Sequence, residues 1–351
     1  MDSAERRAPT GRGGDHAEFM HPLAPEFMIC VNVSRADQTR PRRPGVSQIQ
    51  GRFTEAAMTE AMQQIAGQLQ VSSDDAQLLR LANNAVFALP GAGLVIRINR
   101  SSGPHARIDK VVRLARWFEQ IDAPTIRLLS TVEQPLRLGD LLATVWHYVP
   151  PALEAPVGTD LGLVLRVFHG LTLPPFPLPA WDPVKDARQR LADAEALQDN
   201  HRAQLEEWCE RLQRQIDGLN QRAESRLIHG DAHAGNLLRA PDGRMLMCDF
   251  DSTCLGPWQY DLVAVPVGQL RFKKPGTHRE LVEAYGYDVT TDPDWPLLKE
   301  VRELKLVVGA LPYLASAPRV MQEFELRLRS VEDGDSARWT PYAELRRSGR
   351  T

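Results

Sequence analysis

The sequence predicts an α+β chain of two lobes, with an antiparallel sheet and one helix in a small first lobe and a larger, mainly helical second lobe. Three short apolar runs between residues 78 and 98 are separated by turn-forming Asn, Pro and Gly, as in an antiparallel meander. Pro150 and Pro151 then interrupt the chain. The segments that follow are long, charged and helical in their periodicity, so we place the lobe boundary at the two prolines.

The elements of the first lobe begin at Met58, where apolar residues recur at helical spacing through residue 69. A second amphipathic helix is expected over 107–121, with Val111, Leu114 and Phe118 on one face. Short apolar runs bounded by turn residues indicate strands. The expected strands lie at 78–81, 85–89, 94–98, 126–132 and 141–149.

The second lobe is predicted to consist of helices around one short β-rich segment. Within that segment, residues 237–240 and 244–250 are apolar runs joined by Pro-Asp-Gly, a strong turn signal. The expected helices lie at 159–171, 187–197, 201–219 and within 278–330.

Residues 1–57 differ from the rest because Gly, Pro, Arg and polar residues dominate and little periodicity is present. We expect a disordered or loosely attached extension; the alternative is a functional arm carrying three arginines, Arg40, Arg42 and Arg43. The expected division is 1–57 for the extension, 58–149 for the first lobe, 150–345 for the second lobe and 346–351 for a tail.

Composition excludes several classes of function. The 351 residues are 43% hydrophobic and carry a net charge of −3, so no basic excess suggests nucleic acid as a partner. No apolar run approaches the length of a membrane span, and no signal peptide is recognisable. Four scattered cysteines without a CxxC pair disfavour a zinc knuckle or a disulfide framework. We therefore expect a cytoplasmic monomer or homodimer without a membrane partner.

The chemistry is concentrated in residues 229–251. Asp231 follows an apolar strand, Asn236 comes five residues later, and Asp249 ends the second strand of the hairpin. Phosphoryl transfer needs a carboxylate that orients the attacking hydroxyl and oxygen ligands that hold Mg²⁺ on the nucleotide phosphates. The spacing matches the Asp and Asn of a protein-kinase catalytic loop. The segment therefore predicts a phosphoryl-transfer site.

The sequences HGDAHAGN, DFD and GPWQYDLV together resemble the aminoglycoside phosphotransferase family, which is related to protein kinases. The resemblance covers 229–265 at the level of motifs and implies a protein-kinase-like fold and Mg-ATP-dependent transfer of the γ-phosphate to a hydroxyl of a small molecule. It implies that Asp231 is the catalytic base and that Asn236 and Asp249 bind Mg²⁺. His229 and Asp261 would hold the catalytic loop in place.

The same resemblance suggests where ATP binds in the first lobe. In the strand LVIRI, the side chain of Arg97 is expected to point to the opposite face from Ile96 and Ile98 and to bind phosphates. Asn83 and Asn84 stand where kinases have a Gly-rich loop and are expected to cover the phosphates. The strand before the lobe boundary supplies the expected adenine contacts, Trp146, His147 and Tyr148.

Two departures from the kinase pattern support an alternative, a catalytically weak or inactive nucleotide-binding pseudokinase or scaffold. The helix at 107–121 has Asp109 and Glu119 but lacks an acid in its middle, where the partner of Arg97 is expected. The Gly-rich loop is also missing.

Several residues have more than one interpretation. His229, Asp231 and His233 would be the ligands of a metal-dependent hydrolase, which predicts stoichiometric zinc. His233 otherwise lies at the active-site rim or in solvent. Asp251 is either a second metal ligand or a capping carboxylate, and Asp261 could cap the helix that follows it. The identity of the small-molecule substrate stays open.

Overall fold

A five-stranded antiparallel sheet forms the first lobe, with strand order β1-β2-β3-β5-β4. The computed structural model describes residues 53–81, 84–99, 105–272, 276–315 and 317–347. Asn83, residues 1–52 of the expected extension and residues 348–351 of the expected tail lie outside the described residues. The strands are β1 (Gln77–Leu81), β2 (Asn84–Leu89), β3 (Leu94–Asn99), β4 (Leu136–Leu138) and β5 (Leu141–His147).

Strand alternation gives the two faces of this sheet different tasks. Ile96 and Ile98 of β3 are fully buried, and Arg97 between them points to the opposite face. Arg97 is paired in register with Val86 of β2 and Thr144 of β5. A cation in the central strand therefore faces away from the hydrophobic core of the first lobe.

Two helices accompany the sheet. Helix α1 (Glu55–Gln68) begins at Thr54, whose Oγ1 accepts a hydrogen bond from the backbone N–H of Ala57 at 3.2 Å. Its buried side chains join Ile96 and Ile98 in the core of the first lobe. Helix α2 (His105–Gln120) instead buries its apolar face in the larger core that continues through the second lobe. The helix that covers the sheet is therefore α1, whereas α2 connects the two lobes.

The strand expected at 126–132 does not form. Thr125 makes an isolated bridge to Met247 of the second lobe, and Leu128 makes one to Trp146 of β5. Because neighbouring residues pair with different elements, no continuous ladder develops. The edge strand of the sheet is β4, further along the chain.

The second lobe is mainly helical, which confirms the predicted α+β class. Two small antiparallel ladders lie among its helices: β6 (Ser225–Ile228) with β9 (Cys254–Pro257), and β7 (Leu237–Arg239) with β8 (Met245–Met247). Within the described residues, no helix combines the length and apolar character needed to cross a bilayer. The helices are α3 (Gly158–Phe168), α4 (Pro183–Ala192), α5 (Asp199–Arg222), α6 (Ala264–Phe272), α7 (Thr277–Tyr285), α8 (Trp295–Val308), α9 (Pro318–Glu332) and α10 (Tyr342–Arg347).

Candidate active site

The loop at 229–236, which we call the catalytic loop, leaves β6 through a tight turn at Gly230. Gly230 has φ of 76°, a left-handed conformation that side chains rarely adopt. A Cβ atom there would lie 2.3 Å from the carbonyl oxygen of Ser252. Glycine is therefore required both for the turn and for the close approach of the segment that carries Asp249 and Asp251.

Asp261 fixes the start of this loop. Its buried carboxylate accepts backbone hydrogen bonds from His229 at 2.6 Å and from Gly230 at 2.8 Å. His169, at the end of α3, contacts the same carboxylate through Nε2 at 3.1 Å and Tyr285 through Nδ1 at 2.9 Å. Asp261 thus joins three segments of the chain. Sequence reasoning did not find His169, because no local motif marks it.

His229 connects the catalytic loop to the strand before Asp249. Its Nε2 donates to the carbonyl oxygen of Cys248 at 2.8 Å, and its Nδ1 accepts the backbone N–H of Asp231 at 3.3 Å. Both ring nitrogens are therefore engaged inside the protein, which leaves none for a transition metal. No group of three or more His, Cys, Asp or Glu side chains within the described ranges could hold a metal ion. The hydrolase interpretation has no geometric support.

Asn236 and Asp249 each present an oxygen atom that accepts no hydrogen bond from the described residues. The Nδ2 of Asn236 donates to the backbone oxygen of Asp231 at 2.9 Å, while its Oδ1 is buried without a hydrogen-bond partner. The Oδ1 of Asp249 is likewise buried without one. A hydrogen bond from Cys248 N–H to the carbonyl oxygen of Asn236 at 2.9 Å holds the two segments together.

The backbone and charge of Asp249 are both unusual. Its φ of 63° and ψ of 67° lie in the left-handed region, a conformation that persists only where its surroundings enforce it. Burial and the neighbouring charge of Asp251 raise the pKa of Asp249, against the opposing effect of Arg97. A divalent cation between Asn236 and Asp249 would satisfy both orphan oxygens and relieve this repulsion, so the donor set fits a hard metal ion.

Arg97 finds its acid partner in Asp251. The Nη2 of Arg97 pairs with Oδ2 of Asp251, and its Nη1 lies 3.7 Å from Oδ1 of Asp249. Burial opposes ionisation of Asp251, but Arg97 outweighs it and lowers the pKa of that carboxyl. Helix α2 contributes a cation instead of an acid: Lys110 donates to the backbone oxygens of Asp251 at 2.7 Å and Thr253 at 2.8 Å.

Two cations from α8 contact Asp231. Arg302 Nη1 lies 2.7 Å and Lys305 Nζ 2.8 Å from Oδ1 of Asp231. Burial opposes ionisation, yet Lys305 and Arg302 hold the pKa of Asp231 well below its usual range. Sequence reasoning missed both residues. Their spacing of three on a predicted helix shows that they share a face, but not that the face meets residue 231.

His233 is buried beside Asp231. Of its two expected positions, exposure to solvent is therefore wrong. Burial lowers the pKa of its imidazole to about 3, although the charge of Asp231 acts in the opposite direction. The ring is consequently neutral at physiological pH.

A cleft lies between the sheet and the second lobe, and Arg97 and Asp249 both line it. Asn84 lines it as well, with its Oδ1 accepting a hydrogen bond from Asn99 at 3.0 Å. The expected adenine-binding residues also belong to its wall: Trp146, His147 and Tyr148.

Two backbone N–H groups at the lobe boundary donate hydrogen bonds within the protein. The N–H of His147 donates to the carbonyl oxygen of Arg127 at 3.0 Å, and that of Tyr148 to Gly93 at 2.8 Å. Val149, the next residue, also lines the cleft. The adenine contacts expected at Trp146, His147 and Tyr148 stay a prediction.

A family model covers most of this architecture. The model of the phosphotransferase enzyme family abbreviated APH matches residues 77–301. The chain belongs to this family. The match confirms the resemblance drawn from the motifs, since it runs from β1 into α8 and includes the catalytic loop. Arg302 and Lys305 lie just beyond the matched range.

Solved structures with the same fold include other kinases of small molecules. An amicoumacin kinase in complex with AMP-PNP, Ca²⁺ and Ami matches with a TM-score of 0.62 and 12% identity, covering 83% of this chain and 99% of that chain. A microcompartment-associated aminopropanol kinase gives a TM-score of 0.60 and 18% identity, with 80% and 100% covered. The choline kinase of Streptococcus pneumoniae gives 0.55 and 12%, with 78% and 99% covered.

These structural matches show that the phosphotransferase has the two-lobed, protein-kinase-like fold. At such low identities they show nothing of its substrate. Comparison with curated protein sequences gives no match.

Proposed function

We propose that this phosphotransferase transfers the γ-phosphate of Mg-ATP to a hydroxyl group of a small molecule. The observation that carries the proposal is the convergence of Asp231 with the orphan oxygens of Asn236 and Asp249 beside the cleft that Arg97 lines. In this proposal residues 58–149 form the nucleotide-binding lobe and residues 150–345 the catalytic and substrate lobe.

The two orphan oxygens give the proposal its metal site. Asn236 and Asp249 would hold Mg²⁺, which when bound neutralises charge on the nucleotide phosphates. The amicoumacin kinase of the same fold, whose structure contains AMP-PNP and Ca²⁺, supports the use of a nucleotide and a divalent cation. Arg97 contributes a second positive charge from the sheet side, where its fork can engage phosphate oxygens.

Asp231 carries the acceptor chemistry. Because Arg302 and Lys305 keep its carboxylate ionised, it is a weak base toward a free alcohol. In a loose phosphoryl-transfer transition state, the hydroxyl becomes acidic only as its bond to phosphorus forms. Asp231 therefore orients the hydroxyl first and takes its proton late. Both cations lie on Oδ1, so we assign Oδ2 to the acceptor.

The nucleotide base fits the remainder of the cleft. Trp146 forms part of its wall and packs on Phe250 with ring centroids 6.1 Å apart. The backbone around His147, Tyr148 and Val149 supplies polar groups at the cleft edge. Asn84 stands where a side chain could cover the phosphates, and the same role is proposed for Asn83.

The pseudokinase alternative loses its main argument. It rested on the absence of an acid in the middle of α2, and Asp251 supplies that acid from another segment. No described contact favours a non-catalytic role over catalysis.

The mechanism is tested by Asp231→Ala, with Asp242→Ala as the matched control. Asp242 lies in the exposed β7–β8 turn and pairs with the neighbouring Arg244. We expect Mg-ATP to raise the melting temperature of all three proteins. ADP production with a panel of small alcohols should fall at least about a thousandfold in Asp231→Ala and stay unchanged in Asp242→Ala. Full activity of Asp231→Ala would disprove the role of this carboxylate.

A further inference from the structure

The charges around the catalytic loop form two groups. On the metal side, the carboxylates of Asp249 and Asp251 both pair with Arg97. Lys110 contacts the backbone oxygen of Asp251. On the other side, Asp231 faces two cations, Arg302 and Lys305, so that group is net positive. The first group suits a metal ion, whereas the second has positive charge that its own carboxylate does not balance.

The second group is built into the protein. Arg302 has a side chain only 6% exposed, and its Nε is buried without a hydrogen-bond partner. Arg302 also bonds to the hydroxyl of Tyr260. The Tyr260 hydroxyl beside Arg302 adds no charge, since burial raises its pKa. A buried guanidinium with a spare donor indicates a place for an additional acceptor group.

Lys305 gives this positive group access to solvent. Its side chain is 34% exposed, and Nζ uses one contact on Asp231, which leaves donors on the ammonium group for another partner. It reaches Asp231 from α8, on the side of the second lobe, whereas Arg97 approaches Asp249 from the sheet. The exposed cation therefore lies on the side proposed for the acceptor.

We infer that Arg302 and Lys305 form an anion subsite for the acceptor, so the substrate is a small alcohol that also carries a carboxylate or phosphate group. The inference rests on the proposed function and specifies its substrate class. A polycationic acceptor would bring ammonium groups against two cations, which costs binding free energy. An acidic group in the subsite would compete with Asp231 for Lys305 and place the hydroxyl of the same molecule beside the released carboxylate.

The test measures ligand affinity, so it does not require the natural substrate. Calorimetric titrations would use glycerate and glycerol 3-phosphate as anionic probes, with glycerol as the neutral probe and 2-aminoethanol as the cationic one, each with and without Mg-AMP-PNP. The variant is Lys305→Met, which keeps the aliphatic stem. Lys299→Met is the control, because Lys299 lies on the same helix with 31% exposure and pairs with Glu303 at 3.0 Å. Lys305→Arg restores the charge if the first variant folds poorly.

We expect the unmodified protein to bind at least one anionic probe more tightly than glycerol or 2-aminoethanol. Lys305→Met should weaken that binding about tenfold, the loss typical of one charge-assisted hydrogen bond, while Lys299→Met and Lys305→Arg retain it. Equal affinity for all probes, or equal losses in both methionine variants, overturns the inference. A loss confined to Mg-AMP-PNP affinity would assign the two cations to the nucleotide and also overturn it. Absence of Mg-AMP-PNP binding in the unmodified protein contradicts the proposed function separately.

Discussion

Arg97 and Asp251 form a partly buried ion pair between residues that are 154 positions apart in the chain. The pair joins the central strand of the first lobe to the segment that follows Asp249. It takes the place of a pair between the strand and α2, whose Lys110 binds backbone oxygens of the same segment instead. Residues of both lobes therefore fix the position of Arg97, the cation that is expected to bind the phosphates.

Replacing Asp251 with Asn should weaken metal and nucleotide binding together. Without its partner, Arg97 would turn toward Asp249, where it would compete with the divalent cation for the carboxylate. The lost charge-assisted hydrogen bond corresponds to about 1.5–3 kcal/mol, so we expect the Mg²⁺ and ATP requirements to rise about tenfold or more.

Titration of Mg²⁺ at fixed ATP, followed by tryptophan fluorescence or ADP release, would measure this effect. Asp242→Asn is the control, because Asp242 lies in the exposed β7–β8 turn and pairs locally with Arg244. Unchanged Mg²⁺ dependence in Asp251→Asn would show that Arg97 needs no partner from this segment.

Gly230→Ala should cost more stability than Gly243→Ala, although both glycines have positive φ. At Gly243, with φ of 85° in the β7–β8 turn, an added Cβ would meet no atom within 4 Å, so the substitution adds only backbone strain of about 1–2 kcal/mol. Gly230 adds a clash with the carbonyl oxygen of Ser252 at 2.3 Å. We expect a clearly larger drop in melting temperature for Gly230→Ala, with loss of activity, and equal drops would contradict the close approach of the two segments.

His233 should make the protein sensitive to mild acid. Its folded pKa of about 3 lies below the ordinary value of 6.5, so between these values the unfolded chain binds a proton that the folded protein does not. Stability is therefore retained above pH 6.5 and falls as the pH decreases toward 3, by up to about 1.4 kcal/mol per pH unit.

Melting temperatures at pH 7.5, 6.5, 5.5 and 4.5 would test this dependence in His233→Gln. The variant should lose less stability on acidification than the unmodified protein, whereas the exposed His147→Gln should follow the unmodified protein. Parallel curves for all three proteins would show that His233 gains its proton as readily in the folded state.

The local elements and the core of the candidate site could be predicted from the sequence. The three strands of the meander, α2 and the β7–β8 hairpin lie where apolar periodicity and turn residues placed them. Asp231, Asn236 and Asp249 could be found because a loop and one short hairpin bring them together within a few tens of residues.

Only the tertiary structure decided which charges meet. Arg302 is 71 positions from Asp231, and Asp251 is 154 from Arg97, so these pairs depend on how α8 and β3 pack against the catalytic segment. The strand expected at 126–132 failed for the same reason, since its residues pair with two different elements. Periodicity and turn chemistry act within a few residues along the chain, whereas ion pairs and ladders depend on distances set by packing of the whole fold.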